Sequence, residues 1–114
     1  MKDNLIIITR IKKTILKLEK IIENFSRTEN VLKDNIKITM YEFLKNAYKA
    51  NISKDSTRLN YQKEMIVNIK MLDFYINCSY NKKMISPKQY NLMGQNFLEI
   101  FSMIQAWVKS EKTK

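Results

Sequence analysis

An all-α fold is what this sequence predicts, most simply an antiparallel up-down-up-down four-helix bundle, and three observations carry that expectation. One glycine and one proline occur in 114 residues, so the turn chemistry on which β-hairpins depend is missing. Apolar residues recur at helical spacing in four long stretches, about 10–25, 27–50, 57–80 and 87–109. The polar segments between them are short, two carry helix-start signals, and none could separate domains, so residues 1–114 read as one bundle domain.

The third stretch organises the others. On a helix, Met65, Ile69, Leu72 and Ile76 form one apolar stripe, while Val67, Met71, Phe74 and Cys78 form a second on roughly the opposite side. A helix apolar on two faces has a face to spare for a second subunit or a large partner once the subunit's own core is filled. A wide core face on a monomer is the plainer alternative.

In the first stretch, Ile11, Ile15, Leu18, Ile22 and Phe25 share one face, and Arg10, Lys13, Lys17 and Lys20 fall opposite. Such a stripe is either a solvated surface or a row of cations spaced to follow a phosphate backbone. Ser26-Arg27-Thr28-Glu29 fits a capping box that would start the second helix. Leu32, Ile36, Met40, Phe43 and Ala47 then mark its core face, and the Asn-, Ser- and Thr-containing segment 51–57 reads as a loop. Lys82 and Lys83 follow the third helix, where cations complement the helix dipole or meet a partner on an exposed turn.

Ser86-Pro87-Lys88-Gln89 combines an N-cap serine, proline at the first helical position and a box-closing glutamine. Tyr90, Met93, Phe97, Ile100, Ile104 and Trp107 follow at helical spacing, with Leu92, Leu98 and Met103 off that face. Gly94 sits mid-helix, where it costs about 1 kcal/mol relative to alanine; a closely approaching helix would account for it. The lysine-rich tail after Val108 is expected to fray.

Twenty-one Lys and Arg against 11 Asp and Glu give a formal charge of +10, which suits an anionic partner such as nucleic acid. An Ile-, Lys- and Asn-rich composition of this kind also arises from AT-rich coding, without function. The chain has no histidine and a lone cysteine, Cys78, which removes the commonest general base and metal ligand and excludes an intrachain disulfide. Phosphate-cradling loops cannot be built on one glycine. No catalytic residue, metal site or cofactor is therefore expected, nor a membrane span, and cytoplasmic residence is the default. Tyr41, Tyr48, Tyr61, Tyr75 and Tyr80 could stack on bases, but none stands out from tyrosines packed at bundle edges.

From Leu18 onward the chain resembles the bacterial accessory variability determinant proteins of diversity-generating retroelements. The resemblance is carried by Glu19-Lys20 with Phe25-Ser26-Arg27, by Leu72-Asp73-Phe74-Tyr75, by Ser86-Pro87-Lys88-Gln89-Tyr90, and by Leu98-Glu99-Ile100 running to Met103 and Trp107. Members of that family usually have Phe-Pro-Arg at the first of these and glycine before the tryptophan, where this chain has Gln105-Ala106. The related proteins of ribosomal RNA intervening sequences typically carry a Ser-Ile-x-x-Asn-Ile-Ala-Glu-Gly stretch that residues 36–49 lack. The resemblance implies a homopentameric ring of four-helix bundles that binds the element's reverse transcriptase and template RNA and supports mutagenic complementary-DNA synthesis without catalysing it.

Helical geometry nominates Arg10, Lys13, Lys17, Lys20, Arg27, Lys82 and Lys83 for RNA, and Val67, Met71, Phe74, Cys78, Leu92 and Met103 for an oligomer interface. A structural oligomerisation module, or an intervening-sequence type of bundle protein with no retroelement role, remains the alternative.

Overall fold

Four stretches of helix-forming residues with few β-branched runs and no internal proline leave the backbone one economical way to pair its polar groups. The computed structural model, which describes residues 5–112, is accordingly all-helical: α1 (Ile6–Ile22), a short 3₁₀ turn (Arg27–Glu29), α2 (Asn30–Ile52), α3 (Asp55–Asn81) and α4 (Pro87–Lys112). The molecule measures 47 × 24 × 22 Å. Each helix packs on its neighbours in sequence, and α1 also packs on α4.

The apolar stripes expected of each helix meet in one core. Ile11, Leu18 and Ile22 of α1, Ile36, Met40 and Phe43 of α2, Met65, Leu72 and Ile76 of α3, and Met93 and Ile100 of α4 are all fully buried. Side chains bridge the helices along their length. Tyr41 reaches Glu19 between α1 and α2, Asn46 reaches Asn68 between α2 and α3, and Tyr90 reaches Asn77 between α3 and α4.

Boundaries differ from expectation in four places. First, α1 starts at Ile6 rather than near residue 10, because Ile7 and Ile8 extend the core stripe by a further turn. It also stops at Ile22, and Phe25 is buried from the turn that follows. Second, the expected capping box at Ser26 does not form: the Ser26 hydroxyl pairs with Thr28 Oγ1 at 2.8 Å, and a 3₁₀ turn intervenes before α2. Third, the segment expected to be a loop over 51–57 shrinks to Ser53 and Lys54. Arg58 is the reason. Its guanidinium donates from Nε to the Ala50 carbonyl at 2.9 Å and from Nη2 to the Asn51 carbonyl at 3.2 Å, satisfying end carbonyls of α2 from the first turns of α3. Fourth, α4 stays helical to Lys112 where fraying was expected after Val108, and residues 113–114 lie outside the described range. Glu111 near this end pairs with Arg58.

The Ser86–Gln89 capping box is present in both arms: Gln89 N donates to Ser86 Oγ at 3.1 Å, and Ser86 N donates to Gln89 Oε1 at 2.9 Å. The turn before it is a Schellman motif. Met84 N donates to the Ser79 carbonyl and Lys83 N to the Tyr80 carbonyl, each at 2.9 Å, with Lys83 in the left-handed region at φ 60°.

Candidate functional site

Two surfaces stand out, one cationic and one apolar. On α1, Lys13, Lys17 and Lys20 are exposed, as their positions opposite Ile11, Ile15, Leu18 and Ile22 require. None of the three takes part in an ion pair or hydrogen bond among the described residues, so their charge is available to an outside anion. Arg10 departs from this stripe. It is only half-exposed and forms an ion pair with Glu99 of α4, joining the bundle's first and last helices. A row of four expected cations is thus a row of three, with Arg10 as a helix-to-helix tie. Glu99 stands far from Arg10 in sequence, and nothing local announces the pairing.

The cations expected at the turns occupy a common end of the molecule. Lys82 Nζ is 3.3 Å from Glu29 Oε1, which brings the α3–α4 turn beside the Arg27–Glu29 turn. Arg27, Lys82 and Lys83 are all exposed, but Lys82 has part of its charge offset by Glu29. Lys88, in the first turn of α4, is exposed at the same end and was not among the expected cations. Its neighbours in the capping box drew the eye to helix initiation instead.

Between α1 and α2 the surface is mixed in sign. Glu19 and Glu23 face a shallow concavity of about 380 Å³ that Lys33, Lys37 and Tyr41 also line. The Tyr41 hydroxyl donates to Glu19 Oε1 at 3.0 Å. That bond holds the Tyr41 pKa above its ordinary value, with desolvation and the carboxylate's negative charge acting in the same direction.

The apolar surface lies along α3 and α4. Val67 (55% exposed), Met71 (37%) and Phe74 (56%) stand outward at i, i+4, i+7 spacing, as expected of the second stripe. A groove of about 500 Å³ that none of these three lines runs between the two helices, bounded by Ile69, Lys70, Asp73, Gly94, Phe97, Leu98 and Phe101. Gly94 opens onto this groove. A Cβ added there would meet nothing within 4 Å, so the expected close approach of a helix of the same chain is absent.

The rest of the expected interface is arranged differently. Cys78 and Met103 are half-buried, and Met103 packs against the core. Leu92 and Met103 share a stripe with Glu99 at i, i+7, i+11 spacing, and Glu99 reaches α1. They therefore do not share a face with Val67, Met71 and Phe74. Leu98, 60% exposed, lines the groove on the other side of α4. Helical arithmetic on α4 alone placed Leu92, Leu98 and Met103 equally off the core face; only the position of α3 separates them. Other apolar side chains, Ile6, Leu16, Val31, Ile38 and Ile52 among them, are also exposed.

Among the described residues, no group of three or more His, Cys, Asp or Glu side chains could hold a metal ion. No described helix is long and apolar enough to cross a membrane. No protein-family model matches this chain, and a search of curated proteins returns no significant match.

Proposed function

We propose that this chain is a non-catalytic RNA-binding subunit, an up-down-up-down four-helix bundle that self-associates and serves as an accessory to a polymerase. The setting that its sequence resemblance suggests is a diversity-generating retroelement, with the reverse transcriptase and template RNA as partners and a pentameric ring as the assembly. The observation that carries the RNA reading is the uncompensated row of Lys13, Lys17 and Lys20 on a chain of formal charge +10. Cations repeated along one helix face neutralise successive phosphates and release counterions. Such contacts position a backbone without reading its sequence. Between α2 and α3 the bonded positions run in opposite directions, Asn46 with Asn68 and Ala50 with Arg58, which supports the up-down arrangement.

The test is RNA binding by the wild type and by a Lys13→Glu/Lys17→Glu/Lys20→Glu variant between low and physiological salt. The wild type is expected to lose affinity linearly in log–log form, by about 0.7–0.9 per phosphate neutralised. The triple variant should show a flatter slope at unchanged helicity, with weaker binding to all sequences alike. An unchanged slope in a folded variant overturns the assignment of the stripe. Co-purification with the reverse transcriptase of a retroelement, abolished by no RNA-site change, tests the second partner.

A second reading, a structural oligomerisation module without RNA affinity, is favoured by the exposed Val67–Met71–Phe74 stripe and by the groove at Gly94. It predicts assembly in native mass spectrometry and no salt-dependent RNA binding at all.

A further inference from the structure

The end of the bundle where α3 turns into α4 carries a feature that the cationic stripe does not explain. The rings of Tyr80 and Tyr90 stack with centroids 4.2 Å apart and planes inclined by 12°. Tyr90 is fixed in place, because its hydroxyl donates to Asn77 Oδ1 at 2.6 Å and its ring packs on the core. Tyr80 has no such anchor: it is 37% exposed and its hydroxyl makes no hydrogen bond among the described residues. The chain reverses immediately after it through the Schellman motif, which holds Lys83 in the left-handed region. Lys83 and Lys88 are exposed on either side of this turn, and the Glu29–Lys82 contact brings Arg27 alongside.

A near-parallel aromatic pair with one ring at the surface, at the same end of the bundle as exposed cations that have no partner among the described residues, resembles the arrangement by which proteins hold unpaired bases: the ring stacks on the base while the cations take the adjoining phosphates. We propose that the α3–α4 turn is a stacking site for a base of single-stranded RNA, with Tyr80 as the platform and Lys83, Lys88 and Arg27 on the flanking phosphates. Duplex RNA, whose bases are already stacked on each other, offers the platform nothing. The inference rests on the RNA-binding reading above and adds to it a preference for unpaired strand that phosphate contacts alone do not supply. Because Tyr80 already stacks on Tyr90 before the ligand arrives, the stack with a base carries a smaller ordering cost.

The test uses a short single-stranded RNA carrying 2-aminopurine and a duplex of the same length, titrated with the full chain. Wild type should quench the fluorescent base on binding and prefer the single strand. Tyr80→Ala should weaken single-strand binding by about 5- to 100-fold and abolish the quench, with duplex affinity and salt slope unchanged. Tyr80→Phe, which keeps the ring, should behave as wild type. Tyr80→Leu, which keeps an apolar contact on Tyr90 without the π face, should behave as the alanine variant and guards against a loss of local folding. A folded Tyr80→Ala or Tyr80→Leu variant that binds and quenches like wild type overturns the platform while leaving RNA binding intact. A wild type that binds neither RNA form overturns the RNA reading itself, and the platform with it.

Discussion

Asn46 Nδ2 donates a 2.8 Å hydrogen bond to Asn68 Oδ1 across the α2–α3 interface, with both side chains buried. Two amides in an apolar core are costly unless each satisfies the other. Removing either one strands its partner, so Asn46→Ala and Asn68→Ala should each destabilise the fold by about 1–3 kcal/mol. The double variant should cost less than the sum, with a coupling of about 0.5–3 kcal/mol in urea denaturation. Additivity would show that the two amides do not depend on each other for their contribution.

Arg58 ties three elements together, donating to the Ala50 and Asn51 carbonyls, pairing with Glu111 and lying over the Trp107 ring with 5.7 Å to the centroid. Arg58→Ala should therefore cost about 2–4 kcal/mol, read as a lowered urea midpoint. Arg58→Lys keeps the charge but not the planar fork, and should recover less than half of that loss.

Two backbone positions carry residues unsuited to them. Nothing within 4 Å would obstruct a Cβ at Gly94, so Gly94→Ala should stabilise the isolated chain by about 1 kcal/mol. Lys83 adopts φ 60°, and Lys83→Gly should add about 0.5–1 kcal/mol by relieving the left-handed strain. If the groove at Gly94 seats a second copy, Gly94→Leu should dissociate the assembly in native mass spectrometry while leaving a helical monomer.

Tyr41 gives the molecule an alkaline signature. Its hydrogen bond to Glu19 raises the folded-state pKa above the unfolded value. The contribution to stability is thus fully present below the ordinary tyrosine pKa and is lost as pH climbs through the raised one. Glu19→Gln should lower the Tyr41 pKa, seen by NMR or ultraviolet titration as earlier ionisation, and the difference in thermal midpoint between wild type and Tyr41→Phe should shrink above that pH.

Much of the core was legible before the fold was known, because burial follows helical spacing: Ile36, Met40, Phe43, Met65, Ile69 and Leu72 all lie where their period puts them. The Ser86–Gln89 box was legible for the same local reason. What escaped was the partner each side chain takes. Asn51 looks like a loop residue until Arg58 is seen capping the end of α2. Arg10 looks like a free cation until Glu99 is placed beside it. Ser26 and Glu29 spell a capping box, but Thr28 competes for the serine hydroxyl. The surface stripe at Lys13, Lys17 and Lys20 was readable from α1 alone, whereas the Tyr80–Tyr90 stack needed two helices and the turn between them.

The two-residue link of Ser53 and Lys54 bears on the order of events as the chain folds. Closing so short a loop loses little entropy, and the Arg58–Ala50 and Asn46–Asn68 contacts that follow span 8 and 22 residues along the chain. The α2–α3 hairpin is thereby placed to serve as the folding nucleus, whereas the Arg10–Glu99 tie must wait until both ends of the chain are brought together. Substitutions at Met40 or Met65 should slow folding, with φ-values above 0.5, and loss of Arg10 should mainly speed unfolding, with a φ-value near zero. On a ribosome the same hierarchy would let the central hairpin form while α4 is still in the exit tunnel, and α1 would then wait, its apolar stripe uncovered on the α4 side, for the last helix to emerge.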